Sequence, residues 1–178
     1  MLLEPGDSVR YHSLGAGKVT AQIDREFLGA NRLFAIIEFP HRDLLVQLPI
    51  GDPAVNNKLS HVLEESAVRA LLNFCGESQK LARTWDQREE YATDILKTGG
   101  PQEWAALLTS YAAARREGLP VVSSDVDVVR TAQEMLAAEL WASAAGTDLA
   151  FSAALNTVMD AYNLALQKTA ARTIDTTS

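Results

Sequence analysis

The spacing of apolar residues changes near residue 58, and this change constrains the fold more than any other feature of the chain. Before it, short runs alternate between apolar and polar residues and end at Pro or Gly, as the run 33–39 ends at Pro40. After it, apolar residues recur every three or four positions. Strict alternation is typical of strands, and the longer spacing is typical of helices. The sequence therefore predicts an α+β protein, with strands followed by helices.

Residues 1–58 carry four or five short runs rich in β-branched and aromatic residues, with a turn about every ten residues. The turns fall at 5–7, 15–17 and 29–31, and Gly51-Asp52-Pro53 forms a connector at the end. Short, evenly spaced strands of this kind favour a small antiparallel β-barrel. We take residues 1–58 as the first domain.

Residues 59–168 have the helical spacing and are predicted to form an all-α bundle, the second domain. Thr84 and Gln87 match a capping box at one helix start, and Pro101 matches another. Ser123 or Ser124 is predicted to cap a further helix, and Asp148 can cap the last. The polar residues 169–178 are expected to form a flexible tail. The predicted helices span 59–76, 84–97, 101–117, 123–145 and 148–168.

The charge balance argues against one class of function. The chain has 16 basic and 23 acidic residues, which gives a net charge of −7. A protein that binds nucleic acid by backbone electrostatics alone would be basic. The single Cys75 cannot form an internal disulfide, no apolar run is long enough for a membrane helix, and the first residues do not resemble a signal peptide. We expect a cytoplasmic protein that does not contact a membrane.

No arrangement of residues in the sequence favours catalysis. His12, His41 and His61 are scattered and lack the spacing of paired metal ligands. Cys75 lies at a predicted helix end beside Phe74, where a structural role is favoured. We therefore expect no enzymatic activity, no metal site and no cofactor.

Candidate binding residues are more informative. Arg25 and Phe27 lie near a strand end, and arginine and aromatic residues are enriched where proteins contact each other; a core Phe with a solvated Arg is the alternative. Trp85 follows the predicted cap at Thr84. It can project from the helix start and wedge between bases, or pack in the core with Ala92, and spacing alone favours the core.

A series of short motifs runs through most of the chain in a recognisable order. The motifs are PGDSVRY at 5–11, GAGKV at 15–19, REFLG at 25–29, the strands 34–39 and 43–49, Trp85, Gly99, Trp104, RREGL at 115–119, and a long helix with Ala132, Leu136 and Glu139. Together, over about residues 2–165, they resemble the bacterial CarD/CdnL transcription factors. Their first module is shared with the transcription-repair coupling factor.

The resemblance implies a Tudor- or SH3-like barrel that docks on the β subunit of bacterial RNA polymerase. Arg25 then matches a basic contact to the polymerase and Phe27 an apolar contact. Gln47 stands where family members commonly carry a second basic residue. The helical domain would lie against promoter DNA, with Trp85 inserted at the upstream edge of the melted bubble.

One departure from the family concerns charge. The stretch after the family Trp is usually basic, but here 86–90 reads DQREE, and residues 59–178 hold ten Lys and Arg against sixteen Asp and Glu. Arg83 and Arg88 remain as the cations expected to reach a DNA backbone.

The predicted function is therefore a monomeric regulator that binds RNA polymerase and stabilises promoter open complexes through weak, largely non-specific DNA contact. The alternative is a protein–protein adaptor whose barrel binds polymerase or another protein and whose acidic helices do not bind DNA.

Overall fold

The computed structural model describes residues 3–74, 78–144 and 149–167. In these ranges the strands precede the long helices, as the α+β prediction requires. The strands are β1 (Ser8–Tyr11), β2 (Gly15–Phe27), β3 (Ala30–Phe39), β4 (Leu44–Pro49) and β5 (Leu59–His61). The helices are α1 (Pro53–Asn56), α2 (Glu65–Leu71), α3 (Trp85–Thr98), α4 (Pro101–Arg116), α5 (Ser123–Ser143) and α6 (Phe151–Gln167).

The five strands form one antiparallel sheet in the order β4-β3-β2-β1-β5. The longest pairing joins β2 to β3 and is interrupted by an irregularity between Val19 and Ala21, which bends the strand. Among the described residues the hydrogen-bonded order ends at β4 on one side and at β5 on the other. The sheet is therefore open as described, and the closure of the predicted barrel is not shown.

The predicted start of the first helix, at residue 59, is wrong. Leu59–His61 pairs with β1 as a strand, and α2 begins only at Glu65. The prediction relied on Leu59, Val62 and Leu63, which have the spacing of a helix face. A strand of three residues is too short to show an alternation that differs from this spacing. The sheet thus continues past residue 58.

The other helices agree with their predicted spans to within a few residues. The predicted cap at Ser123 or Ser124 is wrong, because Val122 is the N-cap of α5 and both serines lie inside the helix. Thr84 is the N-cap of α3, but its hydroxyl donates to Gln87 Oε1 at 3.0 Å instead of accepting a backbone N–H, so the predicted capping box is not formed. The predicted cap at Asp148, the residue Cys75 and the tail 169–178 lie outside the described residues.

Helix α5 joins the sheet to the helices. It lies against β1 and β2 on one side and against α3, α4 and α6 on the other. At the junction Ala16 packs against the small residues Ala138 and Ala142, so the backbones approach closely. The fully buried Glu139 pairs with Arg10 of β1, and its Oε1 also accepts from the Leu63 N–H at 2.7 Å. Glu139 therefore links α5 both to β1 and to the segment that precedes α2.

In the described ranges, no helix combines the length and the apolar character that crossing a membrane requires.

Candidate functional site

One candidate surface lies on the outer face of the sheet. Side chains alternate between faces along a strand, so Arg25 and Phe27 of β2 share a face. Register places Arg25 directly opposite Arg32 of β3, and both are exposed. Gln47 of β4 lies on the same face, opposite Ile36. We call Arg25, Phe27, Arg32, Leu45 and Gln47 the sheet surface.

Phe27 is partly exposed to solvent and partly packed against its neighbours. The residue is 46% exposed, and its ring makes an edge contact with Phe34, with 6.0 Å between ring centroids. The guanidinium of Arg32 lies 5.9 Å from the Phe27 centroid, within the range of a cation–π contact. These contacts hold the ring in place while half of it remains open to a partner. The alternative of Phe27 as a core residue is wrong.

The structure brings Arg25 and Gln47 together. Arg25 Nη1 donates to Gln47 Oε1 at 3.1 Å. An exposed hydrogen bond of this kind restricts the long arginine side chain without neutralising its charge. Gln47 therefore orients the Arg25 side chain on the sheet surface.

The edge of the sheet adds an apolar component to this surface. β4 is the last strand of the hydrogen-bonded order, and Leu45 on it is 65% exposed. Edge strands present backbone N–H and C=O groups that an extended segment of another protein can pair with. The sheet surface thus combines a strand edge, exposed apolar side chains and two cations.

The second candidate surface is the start of α3. Trp85 is the first residue of this helix and is 51% exposed, so the core position that its spacing favours is wrong. Ala92 of the same predicted stripe is buried, but Trp85, at the first position of the helix, is not. An indole half open to solvent at a helix start is available for contact.

Arg88 lies one turn after Trp85 and is the centre of a buried network. Its Nε and Nη2 donate to the two carboxylate oxygens of Asp125 at 3.0 and 2.7 Å. Its Nη1 donates to the backbone carbonyls of Ala82 and Arg83 at 3.1 and 2.8 Å. The side chain is only 2% exposed. One guanidinium therefore ties the segment before α3 to the start of α5.

Asp125 receives two further hydrogen bonds. The Val122 N–H donates to Oδ2 at 3.0 Å and the Tyr111 hydroxyl donates to Oδ1 at 3.2 Å. Burial alone would raise the pKa of Asp125, but the hydrogen bonds from Arg88 and from the Val122 N–H hold that pKa below its usual value. Burial and the nearby Asp125 charge raise the pKa of Tyr111. The pair is thus ionised, while Tyr111 stays neutral and donates.

This geometry corrects the expectation for Arg88. The guanidinium donates to Asp125 and to two carbonyls and is buried, so it cannot also bind a phosphate. The prediction that Arg88 contacts DNA is therefore wrong. Arg83 is exposed, and Trp85 and Arg83 remain together at the helix start. The following surface of α3 is acidic; its exposed carboxylates are Asp86, Glu89, Glu90 and Asp94.

Three residues described above were not singled out from the sequence: Arg32, Leu45 and the buried Asp125. Arg32 faces Arg25 only through the strand register, and Asp125 meets Arg88 from 37 positions away. The alternation of side chains on either side of the turn at Gly29 could have indicated Arg32, because it places residues 25, 27, 32 and 34 on one face of the hairpin. Nothing local to Asp125 distinguishes it from other acidic residues in the first turn of a helix.

No protein-family model matches the chain. A search of known proteins gives a relative from Bacillus subtilis (strain 168) with the description "Putative transcription factor YdeB". The two are 26% identical over 141 residues, which cover 78% of this chain and 90% of the relative. An alignment of this length includes parts of both the sheet and the helices.

Proposed function

We propose that this protein is a cytoplasmic transcription regulator that docks on the β subunit of bacterial RNA polymerase through its sheet surface and stabilises promoter open complexes through Trp85. The observation that carries the proposal is the exposed indole of Trp85 at the start of α3. The buried Arg88–Asp125 ion pair ties this end of the helix to α5. The name of the Bacillus subtilis relative supports a role in transcription, and the CarD/CdnL resemblance supplies the partner.

The sheet surface supports docking on a protein. Arginine and aromatic residues dominate the energetics of protein interfaces, and Arg25, Arg32 and Phe27 are exposed together. The edge strand β4 offers backbone hydrogen bonds alongside. Docking needs no basic protein overall, which agrees with the net charge of −7.

The start of α3 supports contact with distorted DNA. An aromatic or apolar wedge can enter between base pairs that are already unstacked, as at the edge of a melted bubble. Because docking raises the local concentration of the tethered helices to about the millimolar range, a weak contact is enough. A contact worth about 1–3 kcal/mol, if it acts only on bubble collapse, lengthens the open complex about five- to a hundredfold.

The adaptor function is the second candidate, and the acidic surface of α3 favours it. Asp86 and Glu89 are exposed close to Trp85, and they repel phosphate. With Arg88 buried in the ion pair, fewer cations offset them than the sequence predicted. In this alternative the sheet surface still binds a protein, and Trp85 contacts a second protein instead of DNA.

The docking step is tested by binding of the whole protein to the isolated outer lobe of the polymerase β subunit, compared with Arg25→Glu. A charge reversal within an interface costs about 2–5 kcal/mol, so binding weakens at least about thirtyfold. Arg130→Glu is the matched control, because Arg130 is also exposed but lies on α5, outside the sheet. Equal binding by wild type and Arg25→Glu contradicts the proposed docking surface.

The DNA contact is tested separately by the salt dependence of association with the polymerase–promoter complex. Contact with phosphates makes the affinity fall as salt rises, and each phosphate contributes about one unit to the slope. Arg83→Gln is expected to reduce that slope by about one. A slope that is the same with and without promoter DNA favours the adaptor.

A further inference from the structure

The turn between β2 and β3 contains a residue that an isolated hairpin would avoid. Leu28 and Gly29 form a two-residue loop between the paired residues Phe27 and Ala30, with φ values of 54° and 77°. Positive φ at both positions is the property of a type I′ turn, which prefers Asn-Gly, Asp-Gly or Gly-Gly. A leucine there is strained, because its Cβ approaches the following carbonyl. The Leu28 side chain is also 84% exposed, so no burial within the chain offsets the strain.

A second unfavourable feature lies two residues away. Arg25 and Arg32 are directly opposite each other across the strands, and like charges in that position destabilise a sheet. The ion pairs within 4.0 Å among the described residues involve neither of them. Arg25 is instead hydrogen-bonded to the neutral Gln47, and Arg32 lies over the Phe27 ring.

Sites where a sequence departs from its own local rules are expected at functional positions. We propose that the tip of this hairpin is an anchor: Leu28 enters an apolar recess on the docking partner, and Arg25 and Arg32 pair with carboxylates at the rim of that recess. This inference rests on the proposed function, and the partner is accordingly the polymerase β subunit. It adds Leu28 and Arg32 as the residues that determine affinity.

The charges on the hairpin favour a protein partner over the other candidates. Asp24 and Glu26 are exposed on the same strand, and they repel the phosphates of a nucleic acid. A symmetric contact with a second copy, centred on the tip, would bring the cations Arg25 and Arg32 of both copies close together around the two-fold axis. A protein surface that combines an apolar recess with carboxylates complements both features of the tip.

The test uses the whole protein with two substitutions that relieve the unfavourable features. Leu28→Asn introduces the Asn-Gly turn that the backbone prefers, and we expect it to raise Tm by about 2–4 °C. Arg32→Glu replaces the like-charge pair with an opposite-charge pair and should not lower Tm. Both are expected to weaken binding to the outer lobe of the β subunit at least tenfold. Leu164→Gln removes another exposed leucine, on α6, and should leave binding unchanged.

The opposite signs of the two effects separate an anchor from a structural role, which would lower Tm and binding together. Binding of Leu28→Asn equal to wild type overturns the inference if Arg25→Glu still abolishes binding; docking then uses the sheet surface without the tip. A fall in Tm for Leu28→Asn overturns it as well, because the turn is then not strained. No binding by the folded wild type, or equal binding by Arg25→Glu, overturns the proposed function and this inference with it.

Discussion

Replacement of Arg88 by methionine gives the sharpest test of how the start of α3 is held. Methionine occupies much of the same space but provides no donors. In Arg88→Met the buried carboxylate of Asp125 loses its cation, and the carbonyls of Ala82 and Arg83 lose a hydrogen-bond donor. Because Asp125 is also nearly inaccessible to water, solvent cannot replace what is lost.

The expected size of the effect follows from this burial. Removing one partner of a buried ion pair costs about 3–5 kcal/mol, which in a chain of this length lowers Tm by about 6–20 °C. Arg130→Met is the matched control, since the Arg130–Asp127 pair on α5 is about two-thirds exposed. An exposed pair contributes about 0–1 kcal/mol, so the control should lower Tm by no more than about 4 °C.

The assay is urea or thermal unfolding followed by circular dichroism at several pH values. Because the pKa of Asp125 is lowered in the folded protein, the ion pair stabilises the wild type above the ordinary carboxyl pKa of about 3.9. That contribution is lost as the pH falls through the folded pKa. The difference between wild type and Arg88→Met should therefore narrow as the pH falls, since protonated Asp125 no longer needs a cation. A cost below about 1 kcal/mol at pH 7, or a pH-independent difference, would refute the reasoning.

Three further predictions concern the sheet and its junction with the helices. Glu139→Ala leaves the cation of Arg10 without its buried partner, and we expect urea unfolding to show a loss of about 3–5 kcal/mol; a loss below about 1 kcal/mol would contradict the buried pair. Gly17→Ala places a methyl group 2.6 Å from the Glu38 carbonyl oxygen, so Tm should fall by several degrees, and an unchanged Tm would show that the strands move apart freely. Burial lowers the pKa of His41 to about 4, so the stability that depends on its neutral form is complete above pH 6.5 and is lost as the pH falls towards 4, by up to about 3 kcal/mol. Between pH 6.5 and pH 4 the free energy of unfolding should fall more for the wild type than for His41→Gln. Parallel pH profiles of the two proteins would refute this prediction.

The order of strands and helices could be predicted from the sequence because each depends on local spacing. The run 33–39 and the spans of α3 to α6 agree with their predictions because each is long enough for its spacing to be unambiguous. The strand Leu59–His61 was missed because it is short and depends on pairing with β1, some fifty positions earlier. Closure of a barrel is likewise a matter of long-range pairing, which spacing does not determine.

The candidate site was predictable only in part, for a related reason. Arg25, Phe27, Arg83 and Trp85 are exposed, as binding residues must be. For Trp85 the apolar spacing favoured a core position, and only the family resemblance indicated that it projects. The environment of Arg88 was not predictable, because its partner Asp125 belongs to another helix. Charge in a sequence shows that a cation exists but not whether the fold has already neutralised it.

The strain at the β2–β3 turn shows a different limit. The sequence predicts a turn at 29–31, but the strand register places the two-residue loop at Leu28-Gly29 and so defines its type. Only with the type known does leucine become an unfavourable residue at that position. The most informative departure from local rules therefore became visible only in the structure.

The central claim, that this protein stabilises open complexes through Trp85, is tested most directly by the half-life of promoter open complexes challenged with a competitor. The account predicts that wild type lengthens the half-life about five- to a hundredfold, and that Trp85→Ala abolishes this effect while polymerase binding persists. Met159→Ala, which removes an exposed apolar side chain from α6, should behave as wild type. If the Trp85→Ala variant lengthened the half-life of the open complex as much as the wild type does, the account would be contradicted.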